Sequence, residues 1–117
     1  MQTNQIVSAY INAALWSSTD ENDKPLDSIY SINDISPKTL KTMRMDCEEF
    51  TRKAWNLIVE ADISPSTVGH DFWLTRNGHG AGFWDRGLGD IGDKLTTLCK
   101  EFPNVDLYVG DDNLIYS

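Results

Sequence analysis

Apolar residues Ile6, Val7, Tyr10, Ile11, Ala14 and Leu15 recur with the rhythm of a helix and predict an amphipathic helix over residues 4–16, with Trp16 at its end. A more regular stripe, Leu40, Met43, Cys47, Phe50, Ala54 and Leu57, alternates steps of three and four and predicts a second helix from Ser36-Pro37 to Glu60. Serine before proline is a helix start: the hydroxyl caps free amides, and the proline ring is tolerated in the first turn. Leu88, Ile91, Leu95, Leu98 and Phe102 give a third stripe, ended by Pro103, with Asp90 and Asp93 placed as a capping pair. Between the first two helices, SSTDENDKPLDS is polar, acidic and turn-rich and is expected to be a surface loop; Ser64-Pro65-Ser66 is expected to open another.

Two segments follow a different rhythm. Residues His70 to Arg76 are rich in aromatic and β-forming side chains and lead into Asn77-Gly78, the preferred centre of a type I′ hairpin turn. Counting outward from that turn, Arg76 faces His79, Leu74 faces Ala81, Phe72 faces Phe83 and His70 faces Asp85. The other face then carries Asp71, Trp73, Thr75, Gly80, Gly82 and Trp84; a one-residue slip exchanges the two faces. Further on, Val105, Leu107 and Val109 alternate with Asp106 and Tyr108, Gly110–Asn113 turns, and Leu114–Tyr116 returns as a short strand. The expected fold is a single α+β domain over residues 1–117, a small antiparallel sheet of two hairpins packed against about three helices. Its expected core includes Leu40, Met43, Phe50, Leu57, Phe72, Leu95, Leu98 and Leu107.

Composition narrows the functional classes. The 117 residues are 40% hydrophobic, enough for a core without disulfides or metals. Cys47 and Cys99 fall on helical stripes, where two reduced, buried thiols are expected; no CxxC pair or Cys/His cluster supports a zinc site, and no cofactor is expected. No stretch is apolar enough to span a membrane, and the N-terminus lacks the basic region of a signal peptide, so a cytoplasmic location is expected. The net charge of -8 disfavours direct nucleic-acid binding, which usually shows as a basic patch. The charge is also uneven. Asp20, Glu21, Asp23, Asp27 and Asp34 stand against Lys24 alone in residues 1–35, and seven acids stand against Arg86, Lys94 and Lys100 in residues 85–117. Residues 36–53 are mildly basic. Solubility accounts for such charge, and so does an acidic face that meets a basic partner.

The segment GHDFWLTRNGHGAGFWDRGLG, from Gly69 to Gly89, together with ALWSSTDENDKPLD upstream and LYVGDDNLIY downstream, resembles a family of small acidic proteins carried by bacteriophages and other mobile elements. The resemblance covers most of the chain. It implies phage or mobile-element origin and action inside a bacterial cell, and it carries over no catalytic residue and no activity.

Residues 70–86 concentrate the chemistry: both histidines, two of the four arginines and two of the four tryptophans. His70 and Asp85, if paired across a hairpin, form an imidazole–carboxylate couple of the kind that serves as a general base, although most such couples only hold structure. A metal site built from His70, His79, Asp71 and Asp85 is disfavoured, because the register sets the two histidines near opposite ends of the ladder. No nucleophile motif, phosphate loop or calcium loop accompanies them. Trp73, Arg76, His79 and Trp84 offer aromatic and cationic anchors of the type that dominate protein interfaces. The leading expectation is therefore a non-enzymatic accessory protein that binds a host bacterial protein, with counter-defence as one specific form. The alternative is a small enzyme or ligand-binding domain that uses His70, Arg76, His79 and Asp85.

Overall fold

A computed structural model describes residues 3–78 and 82–117. Among these residues the chain forms four α-helices and one short antiparallel pair of strands, an α-rich α+β fold. Helix α1 spans Thr3–Ser17, and its stripe of Ile6, Val7, Tyr10, Ile11, Ala14 and Leu15 is buried. Helix α2 spans Pro37–Glu60, where Ser36 Oγ accepts from the Thr39 amide at 3.2 Å and Pro37 occupies the first turn. Its buried face is Met43, Cys47, Phe50, Ala54 and Ile58, while Leu40 and Leu57 sit half-buried at the stripe's edge.

Helix α3 overturns the first expected hairpin. Residues Pro65–Arg76 are helical, begun by the same chemistry as α2: Ser64 Oγ accepts from the Thr67 amide at 3.2 Å, with Pro65 in the first turn. Ser64-Pro65-Ser66 is thus a helix start rather than a loop. Asn77-Gly78 ends the helix instead of turning a hairpin. Gly78 adopts a φ of +72°, and its amide donates to the Thr75 carbonyl at 3.1 Å. A left-handed glycine serves a helix C-terminus and a type I′ turn equally, so the dipeptide alone does not choose between them. Burial chooses: Val68, Gly69 and every residue from Asp71 to Arg76 are buried. A helix enclosed on nearly all sides shows no polar face and no helical rhythm in its sequence.

The expected cross-strand pairs of His70 with Asp85 and Phe72 with Phe83 therefore do not form as strand pairs. Residues 79–81 lie outside the described residues, so the positions expected for His79, Gly80 and Ala81 go with them. Beyond them Phe83–Asp85 make a single 3-10 turn. Its approach to α3 is close. The Phe83 amide donates to Thr75 Oγ1 at 3.1 Å, and a Cβ on Gly82 would lie 2.1 Å from that same oxygen.

Helix α4 spans Asp90–Lys100 and buries Leu95 and Cys99, with Leu98 and Ile91 half-buried. Asp90 and Asp93 do not form a capping pair: Gly89 occupies the cap position with no side-chain bond. The two aspartates lie in the first turn, where their charge favours the positive end of the helix dipole. The second expected hairpin is present in short form. Strands β1 (Tyr108–Val109) and β2 (Ile115–Tyr116) pair antiparallel, Tyr108 with Tyr116 and Val109 with Ile115. Ile115 also bridges Ile35, and its carbonyl accepts from the Ser36 amide at 2.9 Å, which ties the strand pair to the start of α2.

The core lies where α1 and α3 meet, the most extensive contact between elements. Phe72 stacks on Phe50 of α2 at 4.3 Å between centroids, meets Phe102 edge-on at 5.0 Å, and lies beside Tyr10 of α1. Trp73 meets Tyr10 edge-on at 5.3 Å. The α1–α3 approach is close enough to require glycine, since a Cβ at position 69 would lie 2.0 Å from the Ile6 carbonyl oxygen. Cys47 and Cys99 are free and buried, and burial pushes both thiols well above the ordinary cysteine range.

Candidate functional site

Of the four residues expected to anchor a partner, the structure takes two inside. Arg76 is 2% exposed and acts as an internal tie. Its Nε and Nη2 donate to the Pro103 carbonyl at 3.0 and 2.7 Å, and its Nη1 donates to the Tyr10 hydroxyl at 3.0 Å and to Asp46 at 2.8 Å. The guanidinium also lies between the Phe72 and Phe102 rings, 5.4 Å from each centroid. One side chain thus joins α3 to α1, α2 and the segment after α4. Burial pushes the Tyr10 phenol up despite the neighbouring Arg76, so it remains a neutral hydroxyl. Trp73 is likewise buried, and its indole N–H donates to Ser17 Oγ at 2.7 Å. Neither side chain is presented to a partner. Trp84 is exposed, and His79 lies outside the described residues.

The expected His70–Asp85 couple is replaced by a different constellation. His70 pairs with its neighbour: Nδ1 lies 3.0 Å from Asp71 Oδ1. Asp71 is fully buried, and Arg86 grips it with two donors, Nη2 to Oδ1 at 3.0 Å and Nε to Oδ2. The hydrogen bond to Asp71 holds the Arg86 guanidinium above its ordinary range, with burial opposing slightly. Asp85 is exposed on the turn before Arg86. Sequence reasoning missed Asp71 and Arg86 as a pair. The signal was an acid set directly before the apolar run Phe72-Trp73-Leu74, because a carboxylate buried among such residues requires a cationic or donor partner.

Two surface features follow from this arrangement. A hollow of about 370 Å³ opens beside His70 and Arg86, bounded by Ala9, Asn12, Ser66 and Thr67. On a separate stretch of surface, the loop after α1 faces the segment after α4 across a groove of about 710 Å³. Asp20, Glu21 and Asp111 line it with Tyr30 and Tyr108, and among the described residues no lysine or arginine does. A second recess of about 390 Å³, lined by Ser17, Asn77, Asn104 and Asp106 among others, shares Thr19 and Leu107 with the groove and extends it. The loop is shaped by Asp20, whose Oδ1 accepts from the amides of Asn22 and Lys24 at 2.8 and 3.0 Å, and it is pinned by buried Leu26.

Among the described residues no group of three or more His, Cys, Asp or Glu side chains is placed to hold a metal ion. No described helix is long and apolar enough to cross a membrane. Among the described residues the fold is an α-rich α+β arrangement whose surface includes an acidic groove and a hollow beside His70 and Arg86. Comparison with protein-family models, with curated proteins and with solved structures found no match to this chain.

Proposed function

We propose that the protein is a non-enzymatic accessory factor of a phage or mobile element that binds a host bacterial protein through its acidic groove. The observation that carries this reading is the meeting of two acidic segments, far apart in sequence, along one groove without a lining cation among the described residues. Such a groove favours a segment bearing lysine or arginine, and the exposed Tyr108 adds an aromatic surface of the kind enriched at interfaces. Interference with a host defence is the specific form that this binding takes in the setting implied by the resemblance. The anchor expected on a hairpin thus moves to the opposed segments around Asp20 and Asp111, with Trp84 the exposed tryptophan left from the original set.

Capture from bacterial lysate tests the reading, with wild type set beside a Glu21→Gln/Asp111→Asn variant whose folding is checked first. Wild type should retain a reproducible partner at low salt and lose it progressively as salt rises, because screening weakens exposed charge pairs. The variant should lose the same partner at low salt. Retention of that partner by the folded variant, with the same salt dependence, would remove the groove from the reaction surface.

Among the described residues the ligand-binding alternative keeps His70 of its expected set, while His79 lies outside them. Arg76 is an internal tie, Asp85 does not meet His70, and His70 stands instead with Asp71 and Arg86.

A further inference from the structure

The hollow beside His70 has a polarity opposite to that of the groove. Asp71 lies at its back, fully buried, with both carboxylate oxygens engaged by His70 Nδ1 and by Arg86 Nε and Nη2. Because those donors turn inward, Arg86 Nη1 and His70 Nε2 are left on the open side, on side chains that are 42% and 38% exposed. Asn12 and Ser66, both exposed, bring an amide and a hydroxyl to the same hollow. The Trp16 ring stands 6.3 Å from the His70 ring at an interplanar angle of 30° and packs against the imidazole. The hollow thus gathers a guanidinium nitrogen, an imidazole nitrogen, an amide and a hydroxyl around one space.

We propose that this hollow binds the oxyanion group, phosphoryl or carboxylate, of a small-molecule ligand. Arg86 Nη1 is its charged donor, and His70 Nε2, Asn12 and Ser66 are its other polar contacts. Asp71 is a positioning residue: it does not touch the anion, and it holds the Arg86 and His70 side chains in place. The groups facing His70 are Asp71 on its own helix, Arg86 after the 3-10 turn and Trp16 on α1, with Asp85 acting on Arg86 from outside. The volume of about 370 Å³ falls within the ~300–1,000 Å³ of small-molecule sites. The net charge of -8 repels anions at long range, so capture depends on these short-range, charge-assisted bonds. The proposal is independent of the acidic groove.

Nitrogen–proton correlation NMR on the full chain tests it, with sodium sulfate and sodium acetate as separate probes at matched ionic strength. The titrations are run near pH ~6, where imidazoles begin to carry charge. The expected result is saturable shifts confined to Asn12, Ser66, Thr67, His70 and the Arg86 side chain. Affinity for the preferred anion should fall roughly tenfold in Arg86→Lys, which keeps the charge and loses the fork. Smaller losses are expected in His70→Gln and Ser66→Ala. Preference for sulfate assigns a phosphoryl ligand and preference for acetate a carboxylate; either supports the site. Shifts that grow without saturation for both anions overturn it, as does binding unchanged in folded Arg86→Lys and His70→Gln. If Arg86→Lys disturbs the anion-free spectrum throughout, Ser66→Ala and Asn12→Ala decide, since neither touches the Asp71 pair.

Discussion

Replacing Gly69 with alanine reverses the usual sign of that substitution. In an exposed helix interior the change stabilises by ~1 kcal/mol, because alanine restricts the unfolded backbone and favours the helix. At position 69 the new Cβ would lie 2.0 Å from the Ile6 carbonyl oxygen and 2.8 Å from the Tyr10 amide nitrogen, where ordinary contact begins at 3.4 Å. Both neighbours are backbone, so no side chain can rotate away, and α1 must retreat from α3 by more than an ångström. That retreat loosens the Tyr10–Trp73 and Tyr10–Phe72 contacts and lengthens the bond from Arg76 to the Tyr10 hydroxyl. Overpacking of this kind costs up to ~3 kcal/mol, which leaves a net loss of ~2 kcal/mol after the propensity gain. Urea unfolding followed by tryptophan fluorescence measures it; the midpoint should fall by roughly 1 M at unchanged slope. A midpoint equal to or above that of the wild type would show that α1 and α3 do not cross at this glycine, and the core described above would be wrong.

Arg76→Met should cost about 3–5 kcal/mol, because it leaves the Tyr10 hydroxyl and the Pro103 carbonyl without their buried donor; a loss under ~0.5 kcal/mol in the same urea assay would return Arg76 to the surface. Asp112 accepts from the Tyr116 hydroxyl at 2.5 Å and from the Leu114 amide, and these bonds lower its carboxyl below the ordinary aspartate range. Its folded value being depressed, its contribution to stability is present above the unfolded value and is lost as pH falls through the folded one. A carboxyl NMR titration should show the lowered value and its return toward normal in Tyr116→Phe; no difference between the two would break the assignment. Cys47 and Cys99 should resist thiol reagents in the native protein and react at the rate of global unfolding, so fast labelling of either in the absence of denaturant would contradict its burial.

The helices with one wet face were legible in the sequence. α1 and α2 follow their stripes closely, and α2 also carries its Ser36-Pro37 start. α3 carries the same start at Ser64-Pro65, yet no stripe follows it, because almost every residue from Val68 to Arg76 is enclosed. Aromatic and β-forming side chains there suggested a strand, but their packing between α1 and α2 overrides that local preference. Leu40, Leu57 and Leu98 lie on the stripes but at their margins, which is why they are half-buried while Ile58 and Cys99 are fully so. The chemistry was legible only in part. His70 was identified, but its acid partner is the adjacent Asp71, and Arg86 reaches that acid from fifteen residues away. Nothing in the spacing announces a contact that depends on where α3 ends. The acidic bias of the segments around Asp20 and Asp111 was visible, while their meeting across one groove required the fold.

The tightest contact in the molecule joins elements made at different times. α1 is complete at Ser17, but α3 begins only at Pro65, and the links between them run from Trp73 to Ser17 and from Arg76 to Tyr10. On the ribosome, therefore, α1 and most of α2 emerge before the surface that covers them exists. Closing a loop of this length adds an entropic cost before its contacts form. The Arg76 tie is complete only once Pro103 has also been made, because its carbonyl accepts from the same guanidinium. A nascent chain halted before Pro65 presents the bare apolar stripe of α1 to chaperones and proteases.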